Sequence, residues 1–251
     1  MLSETFHTPL PLELEVGIPS GDIEVETAEG EESNITVDGD DRLLEEVEIR
    51  QDGNRIVVKY NGKGKFGFSL SPLSLVFGSE LRVRARVPHG AGVKVKTASA
   101  DADLDGQFGP VSVNSVSGDL RVRGEIAGNA AVKTVSGDVT LERVDGELRV
   151  QSVSGDVTAQ SVGGSLVAKS VSGDLRIESI RQGHAEATSI SGDVEIGIAV
   201  GSAVDVDANS VSGDLASEVP LADAPVDNGG GPTVVVRGKT VSGDFRVFRA
   251  A

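Results

Sequence analysis

Five aspartates recur at intervals that could bring them into one line: Asp119, Asp138, Asp156, Asp174 and Asp193, each closing a Ser-Gly-Asp triplet. Carboxylates and hydroxyls stacked in register suit a hard cation such as Ca²⁺, which takes about six to eight oxygen ligands. One Asp per turn of chain cannot supply that number. The calcium nonapeptide G-G-x-G-x-D-x-U-x is not written here either, because the Asp follows the Gly directly and only in alternate nonapeptides. Two carboxylates one strand spacing apart in water repel by about 1 kcal/mol before screening. A carboxylate accepting a local backbone N–H in an Asx-type turn gains a similar amount, about 1 kcal/mol. The two roughly cancel, so the triplet reads first as a corner-forming turn, with a Ca²⁺ column as the sharper alternative.

Other chemistry is thin. His7, His89 and His184 lie on separate segments without metal-ligand spacing. There is no cysteine, and serine is frequent because the repeat demands it. The glycines recur every nine residues and open no helix, so neither a P-loop nor a dinucleotide fingerprint is present. A β-helical polysaccharide lyase or hydrolase would want aromatic sugar platforms and a charged cluster, and the regular repeats show neither. The expectation is no catalytic residue, no cofactor and no metal.

The elements that would position the aspartates are legible. From Ser136 to Ile180 the chain reads SGDVTLERV, DGELRVQSV, SGDVTAQSV, GGSLVAKSV and SGDLRIESI. An aliphatic residue or Ala at the fourth and sixth positions, with a polar residue between, is the period-two pattern of a half-buried strand. Gly at the second position marks a tight turn or a close backbone approach. Ser-Gly-Asp opens alternate nonapeptides, at Ser117, Ser136, Ser154, Ser172 and Ser191. The others open with Ala127-Gly128-Asn129, Asp145-Gly146-Glu147, Gly163-Gly164-Ser165 and Gln182-Gly183-His184. The unit is therefore two short strands and two corners. The fold class that follows is all-β: a parallel β-solenoid of about 18 residues per coil, stacked at roughly 4.8 Å. An extra residue is expected in a corner at Arg181 and near Arg123-Gly124-Glu125. No Phe or Tyr falls between Phe108 and Phe245, as a narrow interior without room for rings would require. Phe6, Tyr60, Phe66, Phe68 and Phe77 before the repeats, and Phe245 and Phe248 after them, are read as caps.

Residues 1–90 are β-rich but irregular, with strands at Leu12–Val16, Ile23–Val25, Ile35–Val37 and Leu81–Val87 and a hairpin through Asp52-Gly53. They are expected to form a cap continuous with the solenoid. Residues 91–251 form the regular solenoid, with a mobile loop near 220–232 and a closing coil around Ser242-Gly243-Asp244. On the Ser-Gly-Asp wall the outward residues are Arg121, Thr140, Thr158, Arg176 and Glu195, with Arg123, Glu142, Gln160, Glu178 and Gly197 beyond them. The other wall presents Ala131, Arg149, Val167 and Glu186, beside Lys133, Gln151, Lys169 and Thr188. Both read as solvated faces without an apolar stripe, and neither has the flat Thr array of an ice-binding face.

The formal charge of −16 and pI near 4.6 argue against nucleic acid and against docking on anionic lipid. No apolar run is long enough to span a bilayer. The first residues lack the basic and apolar regions of a secretory signal. The expected location is cytoplasmic.

The phrase V-S-G-D-[LV], at Val116–Leu120, Val135–Val139, Val153–Val157 and Val171–Leu175, resembles a bacterial β-strand-repeat family labelled as candidate adhesins, a domain of unknown function. The resemblance implies a β-solenoid with a non-catalytic role, in some members near the cell envelope, and it carries over no catalytic residues. The functional expectation is a non-enzymatic scaffold or protein-interaction module with an unidentified protein partner, monomeric by preference. The alternatives are a solenoid self-assembling end to end into oligomers or filaments, and a polysaccharide-binding adhesin.

Overall fold

The computed structural model describes residues 1–62, 80–219 and 231–250. The strands are β1 (Leu2–His7), β2 (Glu13–Ala28), β3 (Glu32–Asp38), β4 (Val47–Asp52), β5 (Arg55–Tyr60), β6 (Leu81–Pro88) and β7 (Gly92–Phe108). One helical turn, α1 (Asp41–Leu44), precedes β4. The regular region holds β8 (Val111–Asn114), β9 (Leu120–Ile126), β10 (Ala130–Lys133), β11 (Val139–Val144), β12 (Leu148–Gln151), β13 (Val157–Val162), β14 (Leu166–Lys169) and β15 (Leu175–Ile180). It continues through β16 (Gly183–Ser191), β17 (Val194–Ile198), β18 (Ala203–Ser212), β19 (Leu215–Ser217), β20 (Thr233–Ser242) and β21 (Phe245–Arg249).

These strands build a parallel β-solenoid. The even strands β8, β10, β12, β14 and β16 stack in parallel as one wall, and the odd strands β9, β11, β13, β15 and β17 as the other. Alternation decides which side chains face inward. Val139 and Leu141 are buried while Thr140 and Glu142 are exposed, and β12 and β14 repeat the pattern. Val157 pairs with Val139 and with Leu175, the same inward position eighteen residues away in each direction. The extra residue near Arg181 lies in the corner between β15 and β16. The one at 123–124 does not: register shifts between Leu141 and Arg143 where β11 meets β9, so it is a bulge inside the strand.

Chain order and spatial order part at both ends. β2 supplies both walls of one coil, and it lies between the β5/β6 coil and β7, parallel to all three. At the far end β20 and β21 lie between β16/β17 and β18/β19. The sequence expectation of a C-terminal closing coil is therefore corrected: residues 233–249 form the second coil from that end, and 203–217 the outermost. Strictly periodic residues describe stacking between consecutive coils and carry no mark of a coil that returns one place later.

The N-terminal end carries antiparallel strands. β3 pairs with β6 and β1 with β3, while β4 folds back on β5 as the expected hairpin. Charge fixes the register here. β6 presents Arg82, Arg84 and Arg86, β2 answers with Asp22, Glu24 and Glu26, and β7 places Asp101, Asp103 and Asp105 beside them. Like charges opposite one another destabilise a sheet, but Arg82 binds Asp22 at 2.8 Å, Arg84 binds Glu24 at 3.2 Å and Arg123 binds Asp105 at 3.2 Å. On the other wall Glu15 sits between Lys96 at 3.0 Å and Arg55 at 3.4 Å, joining three coils. The hydrogen bond from Lys96 holds its pKa below the ordinary glutamate value.

The interior is narrow but admits two rings. Phe108 and Phe245 are fully buried, which corrects the expectation that aromatics only cap. Phe245 occupies the position of Val194 in the neighbouring coil. Its ring fits because Gly238 stands opposite, where a Cβ would lie 2.3 Å from the ring. Phe6 and Tyr60 pack partly buried against the core; Phe66, Phe68 and Phe77 lie outside the described residues. So do residues 220–230, which hold most of the expected loop.

Two outcomes follow from this packing. Gly238→Val is expected to lower stability by about 1–3 kcal/mol through overpacking. Phe245→Leu in the same chain should recover part of that loss, so a double-mutant cycle on melting temperature yields a nonzero coupling. For Glu15, a depressed folded-state pKa means a stabilising contribution present above the unfolded value near about 4.3, and lost as pH falls through the lower folded-state value. Glu15→Gln should therefore cost about 1 kcal/mol or less near neutral pH, with the difference from wild type closing in melts at acid pH.

Candidate functional site

The Ser-Gly-Asp edge is where the fold brings the sequence's candidate residues together. Ser117, Ser136, Ser154, Ser172 and Ser191 form successive parallel bridges, so the triplets lie directly above one another. From Gly118 onward the backbones approach so closely that glycine holds the middle place, which Ala100 fills in the coil before. Gly137 has φ +130°, and a Cβ there would lie 2.3 Å from the carbonyl oxygen of Gly118.

The five aspartates form the expected column, with a partner of a different kind from the local Asx turn anticipated. Each carboxylate reaches along the solenoid axis and accepts the backbone N–H of the aspartate in the next coil. Asp138 N–H donates to Asp119 Oδ1 at 3.0 Å, Asp156 to Asp138 at 3.0 Å, Asp174 to Asp156 at 2.9 Å and Asp193 to Asp174 at 2.9 Å. The ladder extends in both directions. Asp119 N–H donates to Asp101 at 2.9 Å, Asp244 to Asp193 at 2.8 Å and Asp214 to Asp244 at 2.9 Å. The sequence pattern concealed this because a local Asx turn and an inter-coil bond require the same residue at the same period. On the opposite edge Asn129 Oδ1 does the same for Glu147 N–H at 2.9 Å.

One oxygen of each carboxylate is thus engaged by the backbone. Among the described residues no group of three or more His, Cys, Asp or Glu is placed to hold a metal ion. The histidines are not brought together. His7 faces Glu31 at 3.8 Å, His89 Nδ1 meets Thr27 Oγ1 at 2.8 Å, and His184 sits on β16. The outward residues of the Ser-Gly-Asp wall are laced with ion pairs: Arg121 with Asp119, Arg123 with Asp105, and Arg176 with Glu195. In the corner after β11, Arg143 donates to Asp145 and holds its carboxyl below the usual aspartate range.

Sequence reasoning missed a further column. The ninth position of the nonapeptide reads uniformly as filling, but its two halves differ. Val144, Val162 and Ile180 are fully buried, whereas Val135, Val153, Val171 and Ile190 are between 42% and 50% exposed. At the Ser-Gly-Asp corner the preceding Thr134, Ser152, Ser170 and Ser189 turn inward instead. The hydroxyls of Thr134 and Ser152 bond the corner carbonyls of Ser136 and Gly155. The signal was the small hydroxyl residue ahead of each of these aliphatics, which shifts the alternation by one. The expectation that no apolar stripe emerges holds for the walls and fails at this corner.

Stacked parallel strands with glycine corners and a carboxylate ladder along one edge place the protein in the class of parallel β-solenoids. The chain belongs to the Toastrack DUF4097 family, which it matches over residues 12–248. This is the bacterial domain of unknown function whose members include candidate adhesins. Among solved structures it is similar to a candidate adhesin from Bacteroides fragilis, at 12% identity over 98% of this chain and 96% of that one, with a TM-score of 0.57. It is also similar to a candidate lipid-binding protein from Parabacteroides distasonis, at 14% identity over 98% and 96% of the two chains, with a TM-score of 0.61. These likenesses establish the fold. No curated protein matches the chain. Among the described residues no helix is long and apolar enough to cross a membrane.

The ladder separates two effects by mutation. Gly137→Ala should lower stability by more than about 2 kcal/mol, since the backbone it would strike cannot move without breaking the stack. Asp156→Ala, which leaves Asp174 N–H to solvent, should cost about 1 kcal/mol. Asp156→Asn keeps an acceptor oxygen and removes repulsion, so its melting temperature should stay near wild type. Both Asp156 variants melting above wild type would show that repulsion outweighs the ladder. Calorimetric titration with Ca²⁺ is expected to give no heat and no shift in melting temperature.

Proposed function

We propose that this chain is a non-enzymatic, adhesin-like interaction module that acts by presenting rigid walls to a protein ligand. The observation that carries the reading is the order of its outer surface. Every outward position is repeated at each coil on a hydrogen-bonded frame, so side chains are held in columns at little further cost in conformational entropy, the condition that favours binding. The scattered histidines and ion-paired arginines offer no nucleophile and base in one place among the described residues. The adhesin name carried by the Bacteroides fragilis neighbour agrees with such a role. End-to-end growth is disfavoured because one outer strand at each end carries charge: Glu48 and Arg50 on β4, Asp205 and Asp207 on β18.

The test is biolayer interferometry with the full chain immobilised, probed with a bacterial surface-protein fraction before and after protease digestion, beside a glycan array. Saturable binding abolished by digestion, with a silent array, is the expected result. Binding that survives digestion and maps to a glycan would replace this reading with the polysaccharide adhesin.

A further inference from the structure

The exposed aliphatic column runs the length of the regular solenoid. In spatial order it consists of Val116, Val135, Val153, Val171, Ile190, Val241 and Val211, between 42% and 82% exposed. The chain enters each of these corners from the β10-type wall and leaves along the Ser-Gly-Asp wall, so the column has a different flank on each side. Downstream lies the aspartate ladder, one carboxylate per coil. Upstream lies a column in which lysine occupies alternate coils: Lys96, Asn114, Lys133, Gln151, Lys169, Thr188 and Lys239, each in register with the next.

Asp119 pairs with Arg121 and Lys96 with Glu15 at the near end; beyond them both flanks are uncompensated. Among the described residues Asp138, Asp156, Asp174, Asp193, Asp244 and Asp214 have no Lys or Arg at ion-pair distance, and Lys133, Lys169 and Lys239 have no carboxylate. Elsewhere on the surface arginines are paired within the chain, including Arg82, Arg84, Arg121, Arg143, Arg149, Arg176 and Arg246. Unpaired charge of both signs is thus gathered beside an apolar line.

Period and charge together identify an occupant. An α-helix offers one residue per turn of about 5.4 Å, and an extended strand one residue per face every ~6.6 Å. Neither keeps step with knobs about 4.8 Å apart over this many coils. A second copy of this chain does. We propose that two copies associate side by side through this column, with the two-fold axis parallel to the solenoid axes. That operator places each coil against the same coil of its mate and sets the aspartate flank of each copy against the lysine flank of the other. The antiparallel alternative would set aspartate against aspartate, which like-charge repulsion disfavours. The strip spans about 30 Å at ~4.8 Å per coil and is narrow, so the expected dimer is a weak one in the lower range of interface sizes.

The chain contains no cysteine, which makes orientation directly readable. Sedimentation equilibrium of the full chain should show a mass rising from 25.8 kDa toward twice that with concentration, and falling back as salt is added. The variant Val135→Asp/Val153→Asp/Val171→Asp alters only exposed side chains and should remain monomeric. Lys133→Glu/Lys169→Glu/Lys239→Glu should weaken association by about tenfold or more. Single variants Val135→Cys and Val241→Cys should each cross-link to themselves on oxidation. The proposal is overturned by a monomer at every concentration, by unaltered association of both multiple variants, or by Val135→Cys joining only Val241→Cys, which an antiparallel pair would produce. None of these results bears on whether the walls bind a protein ligand in interferometry.

Discussion

Coil stacks on coil at the spacing of a hydrogen-bonded parallel strand pair, and that single distance constrains everything else in the protein. At about 4.8 Å the corner of one coil touches the corner of the next. A side chain at Gly137 would strike the Gly118 carbonyl, and the same collision recurs at Gly118, where a Cβ would meet the Ala100 carbonyl. The glycines are therefore a consequence of the ladder rather than of local turn chemistry alone. Aspartate follows for a related reason. Its short carboxylate reaches the N–H of the next coil at 2.8–3.0 Å, satisfying a backbone donor at a place where the chain turns away from the strand ladder. A buried or half-buried N–H without such a partner would be costly.

Stacking also turns each position in the repeat into a column and each column into a surface. Inward columns carry Val, Leu, Ile and Ala within a fixed interior volume, so a large residue must be met by a small one nearby, as Leu141 and Ile177 flank Ala159 and as Gly238 meets Phe245. Outward columns have no such volume rule and are free to carry charge. The N-terminal coils use that freedom to specify register, with a row of arginines on β6 against a row of acids on β2. The regular coils use it differently, keeping arginine paired on the walls and leaving lysine and aspartate at the corner.

The repeat was legible because one residue type per position is enough to reveal a period. Strand direction, coil length and the Ser-Gly-Asp column all follow from period and alternation, and Val139, Leu141, Val157 and Leu175 are inside as their positions require. The two returned coils were not legible. β2 and β20 carry the same alternation as any other strand, and what selects their neighbours is complementarity across strands far apart in sequence. The exposed valines were hidden for a different reason. An aliphatic residue at a strand end counts as core in any pattern reading, and only the geometry of the five-residue corner shows that Thr134 turns in and Val135 turns out.

The order of coils at the ends bears on how such a rod survives. A solenoid whose first and last coils lay outermost would expose the segments most prone to fraying on an open edge. Here residues 13–28 and 233–249 are each hydrogen-bonded on both sides; at the far end the outer place falls to residues 203–217, and at the near end β4 and the N-terminal β1 are the edge strands, β1 paired on β3. The outermost strand β18 presents Asp205 and Asp207 on its exposed face, which penalises addition of another strand. With growth along the axis opposed by charge at both ends, the place among the described residues where the aliphatic column and unpaired charge coincide is lateral. Contact there can bury the aliphatic column without opening a coil, so the backbone ladder that holds the rod together is not disturbed by association.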